Sequence, residues 1–396
     1  MSDTDKTTSS YNTRGVDPTK AQVHNATKNL NKGLFPKAFC KVLPDVWGND
    51  PSMCNIMHAD TAGTKGILAY LLYAETGDLS GYRDIVEDAI VMNIDDMGAA
   101  GVTDNIAINQ TISRNKNRVN GEAIAAMITS TEDYLSWLRS LGINAVGAGG
   151  ETADVGDVVR TFDVACTAAA RVKRSDILSI NIKPGNYGVG LGSSGTTTYD
   201  SRINGGMGSN GLTGGRHDLL SSEYITKYPE AFDRETAERN DEFKKLLYCG
   251  KYKITDPIVK LMMSPTRTYM PVLKDLKDAD VFYRLSGIAH NTGGAHTKIK
   301  NFVSGLRIEK SFNYESPKIF QEIKDVGNTS WQEMFGVYNM DARMEFWGPK
   351  DVVNEVKKVA LHNGINVTFE GKAYASQDNE VVISHQCLGR QKSIKI

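Results

Sequence analysis

Cysteine is scarce in this chain: five residues in 396 (Cys40, Cys54, Cys166, Cys249 and Cys387), an odd number, widely spaced and without a CxxC pair. A chain of this length needs no disulfide framework, so the expected setting is reducing and cytoplasmic. Long hydrophobic runs are missing too. No apolar stretch approaches the ~18 residues of a membrane helix, and the N-terminal MSDTDKTTSSYNTRG lacks the apolar core of a signal peptide, so no membrane segment is expected. Charge of one sign is also lacking: 46 Lys and Arg face 47 Asp and Glu, a formal net charge of −1. Without a global positive field the chain is not expected to gather nucleic acid, and any phosphate must be met locally. No internal repeat occurs.

What is present fits an ordinary folded chain, with 40% hydrophobic and 23% charged residues and length for about two to three domains. Residues 1–14 read as a flexible arm. Helical periodicity follows Gly63-Thr64 (Ile67, Leu71, Ala74) and stops at Gly77. It resumes from Ser80 through Ile85, Ala89 and Met92 to Gly98, and again from Ile124 to Leu141 before Gly142. A short strand, Ile143 to Val146, runs into Gly147–Thr152, and Phe162 to Ala170 alternates as a second strand. A boundary falls near residue 178, giving domains 15–178 and 179–396. Stretches 196–208, rich in Gly, Thr, Ser and Asn, and 222–254, strongly charged, read as surface insertions. Near the C-terminus a strand (Asn339–Trp347), a helix opened by Pro349 and closed by Gly364, and a strand (Ile365–Phe369) form an α+β ending.

Several segments could carry chemistry, each with a plainer alternative. Asp60-Thr61-Ala62-Gly63-Thr64-Lys65 combines a helix start, a glycine and a lysine, which suits an anion, with Asp60 for a cation; taken alone, the same residues favour a simple helix cap. Asp88, Asp95 and Asp96 share one helix stripe and are either solvated or bridged by a cation. An ion would relieve the conflict of Asp96 with the negative end of its helix. Gly149-Gly150-Glu151 closes a strand or forms a bare turn. Gly190 to Gly195 matches GxGxxG, but no helix follows, so Ser193-Ser194-Gly195 reads as a phosphate loop or an ordinary glycine loop. His290 beside Thr292 is a candidate general base or a structural histidine. Arg267 is a candidate phosphate ligand or an ion-pair partner.

Taken in order, these segments resemble one family, the aminoimidazole ribonucleotide synthetases (phosphoribosylformylglycinamidine cyclo-ligases) of purine biosynthesis. Gly15-Val16-Asp17 is similar to its GVD, Asp60–Lys65 to TDGVGTK, Val91–Asp96 to the helix ending in ND, and Gly149–Ala153 to GGETA. Asp163-Val164-Ala165, Lys183-Pro184-Gly185, Ser193-Ser194-Gly195, Ser209-Asn210-Gly211, Pro265–Tyr269, Ala289–Gly294 and Tyr338-Asn339-Met340 resemble DVAG, PGD, SSG, SNG, PTRIY, AHITGGG and FNM. The resemblance implies a two-domain α+β fold: an N-terminal mixed-sheet domain that pairs into a homodimer, and a C-terminal α/β sandwich domain. It implies a cytoplasmic, ATP-dependent ligase that closes formylglycinamidine ribonucleotide to aminoimidazole ribonucleotide. ATP would meet Asp60, Gly63, Thr64, Lys65, Asp96, Gly149, Gly150 and Glu151, with Mg²⁺ on Asp60, Asp96 and Glu151. The substrate would meet Ser193, Ser194, Gly195, Ser209, Asn210, Arg267 and His290, and Lys65, His290 and Thr292 would carry the chemistry.

This sequence departs from the family pattern at several points. Leu34–Cys40 stands where the family has a glycine-rich loop, Asp95 replaces an Asn, residues 154–157 are more acidic, residues 196–208 are inserted, and Asn291 and Ala295 alter AHITGGG. The rival readings are a paralogue on the same scaffold, such as a thiamine-monophosphate kinase, and a catalytically silent ligand-binding homologue.

Overall fold

A computed structural model describes residues 10–386 and 393–396. Cys387 lies outside the described residues. Strands β1 (Val42–Pro44), β2 (Met53–Thr61), β3 (Ile106–Arg114), β4 (Ala145–Asp154) and β5 (Phe162–Lys173) form one sheet in the order β1-β2-β5-β3-β4. β3 and β4 run parallel, and the remaining pairs are antiparallel. Parallel neighbours need a crossover, which a long helix supplies here. Period 2 puts Ile106, Ile108 and Ile112 of β3, and Val164, Cys166, Ala168 and Ala170 of β5, on the buried face.

That face is covered by the periodic helices α3 (Gly66–Thr76), α4 (Ser80–Ala99) and α5 (Gly121–Ser140), which follow the short N-terminal helices α1 (Ser10–Thr13) and α2 (Ala21–Thr27). Gly77 and Gly142, with φ of 74° and 77°, take the left-handed turn that ends α3 and follows α5. Among the described residues no helix covers the sheet's other face. Registered rows Met57–Ala169–Ala107 and Ala59–Thr167–Asn109 lie there, with Met57, Ala59 and Asn109 exposed and Ala169, Ala107 and Thr167 half-buried.

The second sheet draws on β6 (Tyr187–Gly192), β9 (Gly287–His290), β10 (Leu306–Phe312), β11 (Ala342–Gly348), β12 (Val367–Ala375), β13 (Glu380–His385) and β14 (Ile394–Lys395), in the order β14-β13-β10-β12-β6-β11-β9. A small hairpin, β7 (Ser194–Gly195) with β8 (Asn204–Gly205), stands apart. Every residue of β11 is buried, and each large apolar side chain so enclosed contributes roughly 1.5–3 kcal/mol. A Cβ on Gly190 would lie 2.3 Å from the Phe369 ring, so this glycine of the GxGxxG match serves strand packing.

α4 passes between the two sheets and is buried without interruption from Asp88 to Ala99. A helix enclosed all round must pair every charge it carries, and this position decides the site.

Four expectations change. Residues 10–14 are not a free arm: Tyr11 and Arg14 are buried, and Arg14 is ion-paired with Asp218. The 222–254 insertion is not a surface excursion, because Tyr224, Phe232, Phe243 and Tyr248 enter the core. Gly149-Gly150 does not end a strand; β4 continues through it to Asp154, with a register shift opposite β3 and Gly149 at φ 84°. The Asp88, Asp95 and Asp96 stripe is not solvated.

Candidate active site between the two halves

Asp96 sits in the last turn of α4, where backbone carbonyls disfavour a carboxylate. Two imidazoles compensate it. His290 Nδ1 lies 2.6 Å from Asp96 Oδ1, and His58 Nε2 lies 3.4 Å from Oδ2. Burial would raise the Asp96 carboxyl, but Lys298, the His290 hydrogen bond and His58 outweigh it and hold the group well below the usual carboxylate range.

The His290 tautomer follows from its other neighbour. Arg343 Nη1 donates to His290 Nε2 at 2.5 Å, so the ring proton is on Nδ1 and goes to Asp96. Burial lowers the His290 pKa to about 4 against the pull of Asp96, and the ring is fully enclosed. Both nitrogens are engaged inside the protein, so His290 positions Asp96 and does not reach a substrate. Its expected role as a base is corrected accordingly.

His58, absent from the sequence reading, has the opposite character. Asn93 Nδ2 donates to Ala89 O (2.9 Å) and Cys166 O (3.0 Å), which leaves Asn93 Oδ1 to accept from His58 Nδ1 (2.9 Å). Nε2 is then the nitrogen at Asp96, beside a cavity. The signal was available in the sequence: His58 and Asp60 are i and i+2 on β2 and share one face.

The cavity, about 390 Å³, brings Asp60, Asp96 and His58 from the first half against Asn210, Thr292 and Lys298 from the second, with the segment Val16–Pro18 and Lys20 along one side. Lys298 Nζ donates to Thr292 Oγ1 at 2.5 Å. Burial and the Asp96 charge raise the Asp60 carboxyl, while its hydrogen bond from Thr61 N lowers it. The arrangement sets two carboxylates and an imidazole opposite lysines, a polar cavity of mixed charge.

Other expected residues lie elsewhere. Lys65 is buried, donating to Asp88 Oδ1 (2.8 Å) and Ser264 O (2.6 Å); Asp88 also accepts from Thr266 N (2.8 Å), and Thr64 Oγ1 meets Thr213 Oγ1 at 2.8 Å. This strut ties the halves together and is no phosphate ligand, while Gly63 beside it faces open space. Gly149, Gly150 and Glu151 line a separate cavity of about 220 Å³ with Gln110, Thr131 and Glu132. Ser193 and Ser194 do form an anion-accepting turn, but the anion is internal: Ser193 N and Ser194 N donate to Asp341 Oδ1 at 3.0 and 2.6 Å. Arg267 is committed to Asp200, Ser194 O and Gly195 O at 2.7, 2.9 and 2.6 Å. Ser209 is half-buried beside Asn210.

No family model matches the chain. Over 328 residues it is 29% identical to the phosphoribosylformylglycinamidine cyclo-ligase of Methanocaldococcus jannaschii, covering 81% of this chain and 78% of that protein. It is 30% identical over 237 residues to that of Methanococcus maripaludis strain C7, covering 59% and 57%. This chain is a relative of the phosphoribosylformylglycinamidine cyclo-ligases. With the M. maripaludis protein the match spans less than two thirds of the relative's length. Among solved structures, the chain superposes on thiamine monophosphate kinase of Aquifex aeolicus at a TM-score of 0.53 and 10% identity, over 91% of this chain and 95% of that one. It superposes on phosphoribosylformylglycinamidine synthase II of Thermotoga maritima at 0.51 and 12%, over 98% and 50%. The fold of this cyclo-ligase relative is thus theirs.

The metal site implied for Asp60, Asp96 and Glu151 does not form within the chain. Among the described residues no three His, Cys, Asp or Glu side chains converge on a place for a metal ion, and Glu151 lines the other cavity. The compensation expected from an ion at Asp96 comes from His290, His58 and Lys298.

Proposed function

We propose that this relative of the cyclo-ligases catalyses the ATP-dependent closure of formylglycinamidine ribonucleotide to 5-aminoimidazole ribonucleotide, with release of ADP and phosphate, in the interdomain cavity. The observation that carries the reading is the meeting of Asp60, Asp96 and His58 with Thr292, Lys298 and Asn210 from the other half of the chain. Transfer of a phosphoryl group to the amide oxygen, followed by attack of the ring nitrogen and loss of phosphate, asks the protein chiefly for positioning and charge stabilisation. Lys298 and Lys20 supply positive charge at the cavity, and Thr292 and Asn210 supply polar contacts. Asp96, oriented by His290, and Asp60 border the reacting groups.

The uncovered sheet face supports a homodimer in which the Met57 and Ala59 rows of two copies pack together. Thr167→Arg, at the centre of that face, is expected to convert the dimer to a monomer in light scattering. The Asp341 carboxylate in the Ser193–Ser194 turn favours a second reading, an ATP-dependent enzyme of the same scaffold whose substrate carries no phosphate there.

The test is incubation of the purified chain with ATP, magnesium and formylglycinamidine ribonucleotide. The aromatic amine product is followed by diazo coupling alongside ADP. Equal amounts of the two support the cyclo-ligase. ATP binding by calorimetry without product moves the assignment to the second reading.

A further inference from the structure

A different cavity, of about 220 Å³, lies between α4, α5, the 196–208 insertion and the segment Pro265–Thr268, and it shares no lining residue with the Asp60–Asp96 cavity. Ser130, Tyr134 and Trp137 reach it from successive turns of one face of α5. Trp137 stands between two tyrosines, its ring centroid 5.1 Å from that of Tyr134 and 6.4 Å from that of Tyr199. These rings make an aromatic wall.

The polar groups around this wall divide into committed and uncommitted ones. Arg267 is held by Asp200 and two carbonyls, Arg202 by both oxygens of Asp84 (3.1 and 2.7 Å), and the Tyr199 hydroxyl by Thr268 O (2.9 Å). Tyr134 is 7% exposed, and its hydroxyl makes no hydrogen bond among the described residues. The Glu87 carboxylate has only a distant contact, Arg202 Nη2 at 3.6 Å. Burial, with Asp84 and Asp88 close by on the same helix, pushes Glu87 up to about 8 against the pull of Arg202 and Lys65. Asp133 adds a second carboxylate at the rim. The guanidiniums are therefore neutralised, while among the described residues Glu87 keeps only its 3.6 Å contact with Arg202 and the Tyr134 hydroxyl has no hydrogen-bond partner.

We propose that this cavity is a binding site for a small organic cation, a primary ammonium on a single ring or short chain. The ammonium would draw Glu87 into its charged form and donate to it and to Tyr134, and the apolar part would lie against Trp137. The volume is below the ~300 Å³ of sites for drug-sized ligands, which excludes a nucleotide. The inference is independent of the reaction assigned above, since no residue is shared.

Calorimetric titration of the full chain with benzylammonium chloride, and in parallel with neutral benzyl alcohol, tests it. Saturable binding of the ammonium at least about tenfold tighter than the alcohol is expected, the margin of a buried cation–π and carboxylate contact. Glu87→Gln should remove most of that margin, and Asp96→Asn should leave it intact. Equal affinity for the two probes, no saturable binding of the ammonium, or full retention of the margin in Glu87→Gln would overturn the proposal. The comparison of the two probes requires no variant and decides the matter even if Glu87→Gln fails to fold.

Discussion

Asp88 and Asp96 lie two helical turns apart on α4, and both are buried, yet they do different work. Asp88 Oδ1 collects Lys65 and the backbone and hydroxyl of Thr266, all internal donors, and its side chain is 0% exposed. Asp96 is clasped by His290 on one oxygen and approached by His58 on the other, and its side chain keeps 9% exposure at the edge of the 390 Å³ cavity. Residue type does not separate a strut from a site here. What separates them is whether each partner has a face left toward open volume: Lys65 has none, and His58 has.

The largest effect that would break this contrast is expected at the strut. Lys65→Met leaves the Asp88 carboxylate buried and unpaired, which costs about 3–5 kcal/mol. A urea melt should show that loss, with nucleotide affinity of the folded fraction unchanged. An unaltered melt with lost nucleotide binding would make Lys65 a ligand residue after all. Asp96→Asn should act the other way round. The amide oxygen still accepts from His290, so stability falls by only about 1–2 kcal/mol, while turnover drops about a hundredfold or more through the lost charge. Diazo-coupled product formation reads the second quantity and thermal melting the first.

A pH measurement sharpens the site further. His290 refuses a proton in the folded chain until about pH 4, whereas the unfolded chain takes one near 6.5. The unfolded state therefore binds more protons between those values, and stability is lost as pH falls through that window. His290→Asn should flatten the decline by at most about 1.4 kcal/mol per pH unit. An unchanged slope would mean that the ring is already protonated in the native state.

Much of this was legible in the sequence, because the strong signals were local. The periodicity of α3, α4 and α5, the glycine after each of α3 and α5, and the strand–helix–strand ending all reappear. In the structure Asp60, Asp96, Asn210 and Thr292, expected in separate nucleotide and substrate roles, line one cavity. What failed was orientation. A lysine after a glycine, an arginine in a PTR segment and a histidine in AHNTGG each carry the chemistry for a ligand, and each meets a protein partner supplied from another element: Asp88, Asp200 and Asp96. Those pairings join residues 23, 67 and 194 apart, beyond any local pattern. The Ser193–Ser194 turn, expected to hold a substrate phosphate or to be an ordinary glycine loop, donates instead to Asp341, 147 residues on from Ser194.

The smallest expected effect concerns Glu151. It is exposed on β4, in the cavity with Gln110 and Glu132 and apart from Asp60 and Asp96. Surface substitutions of this kind change stability by no more than about 0.5 kcal/mol, and Glu151→Gln should leave turnover within about twofold, a difference of about 0.4 kcal/mol in barrier. The variant still matters, because resemblance to the cyclo-ligases groups Glu151 with Asp60 and Asp96 and the single chain separates them. A loss in Glu151→Gln approaching that in Asp96→Asn would require the two cavities to act as one site. Since β4 is the edge strand of the sheet with the open face, repeating the assay with Thr167→Arg would show whether a second copy of the chain is what joins them.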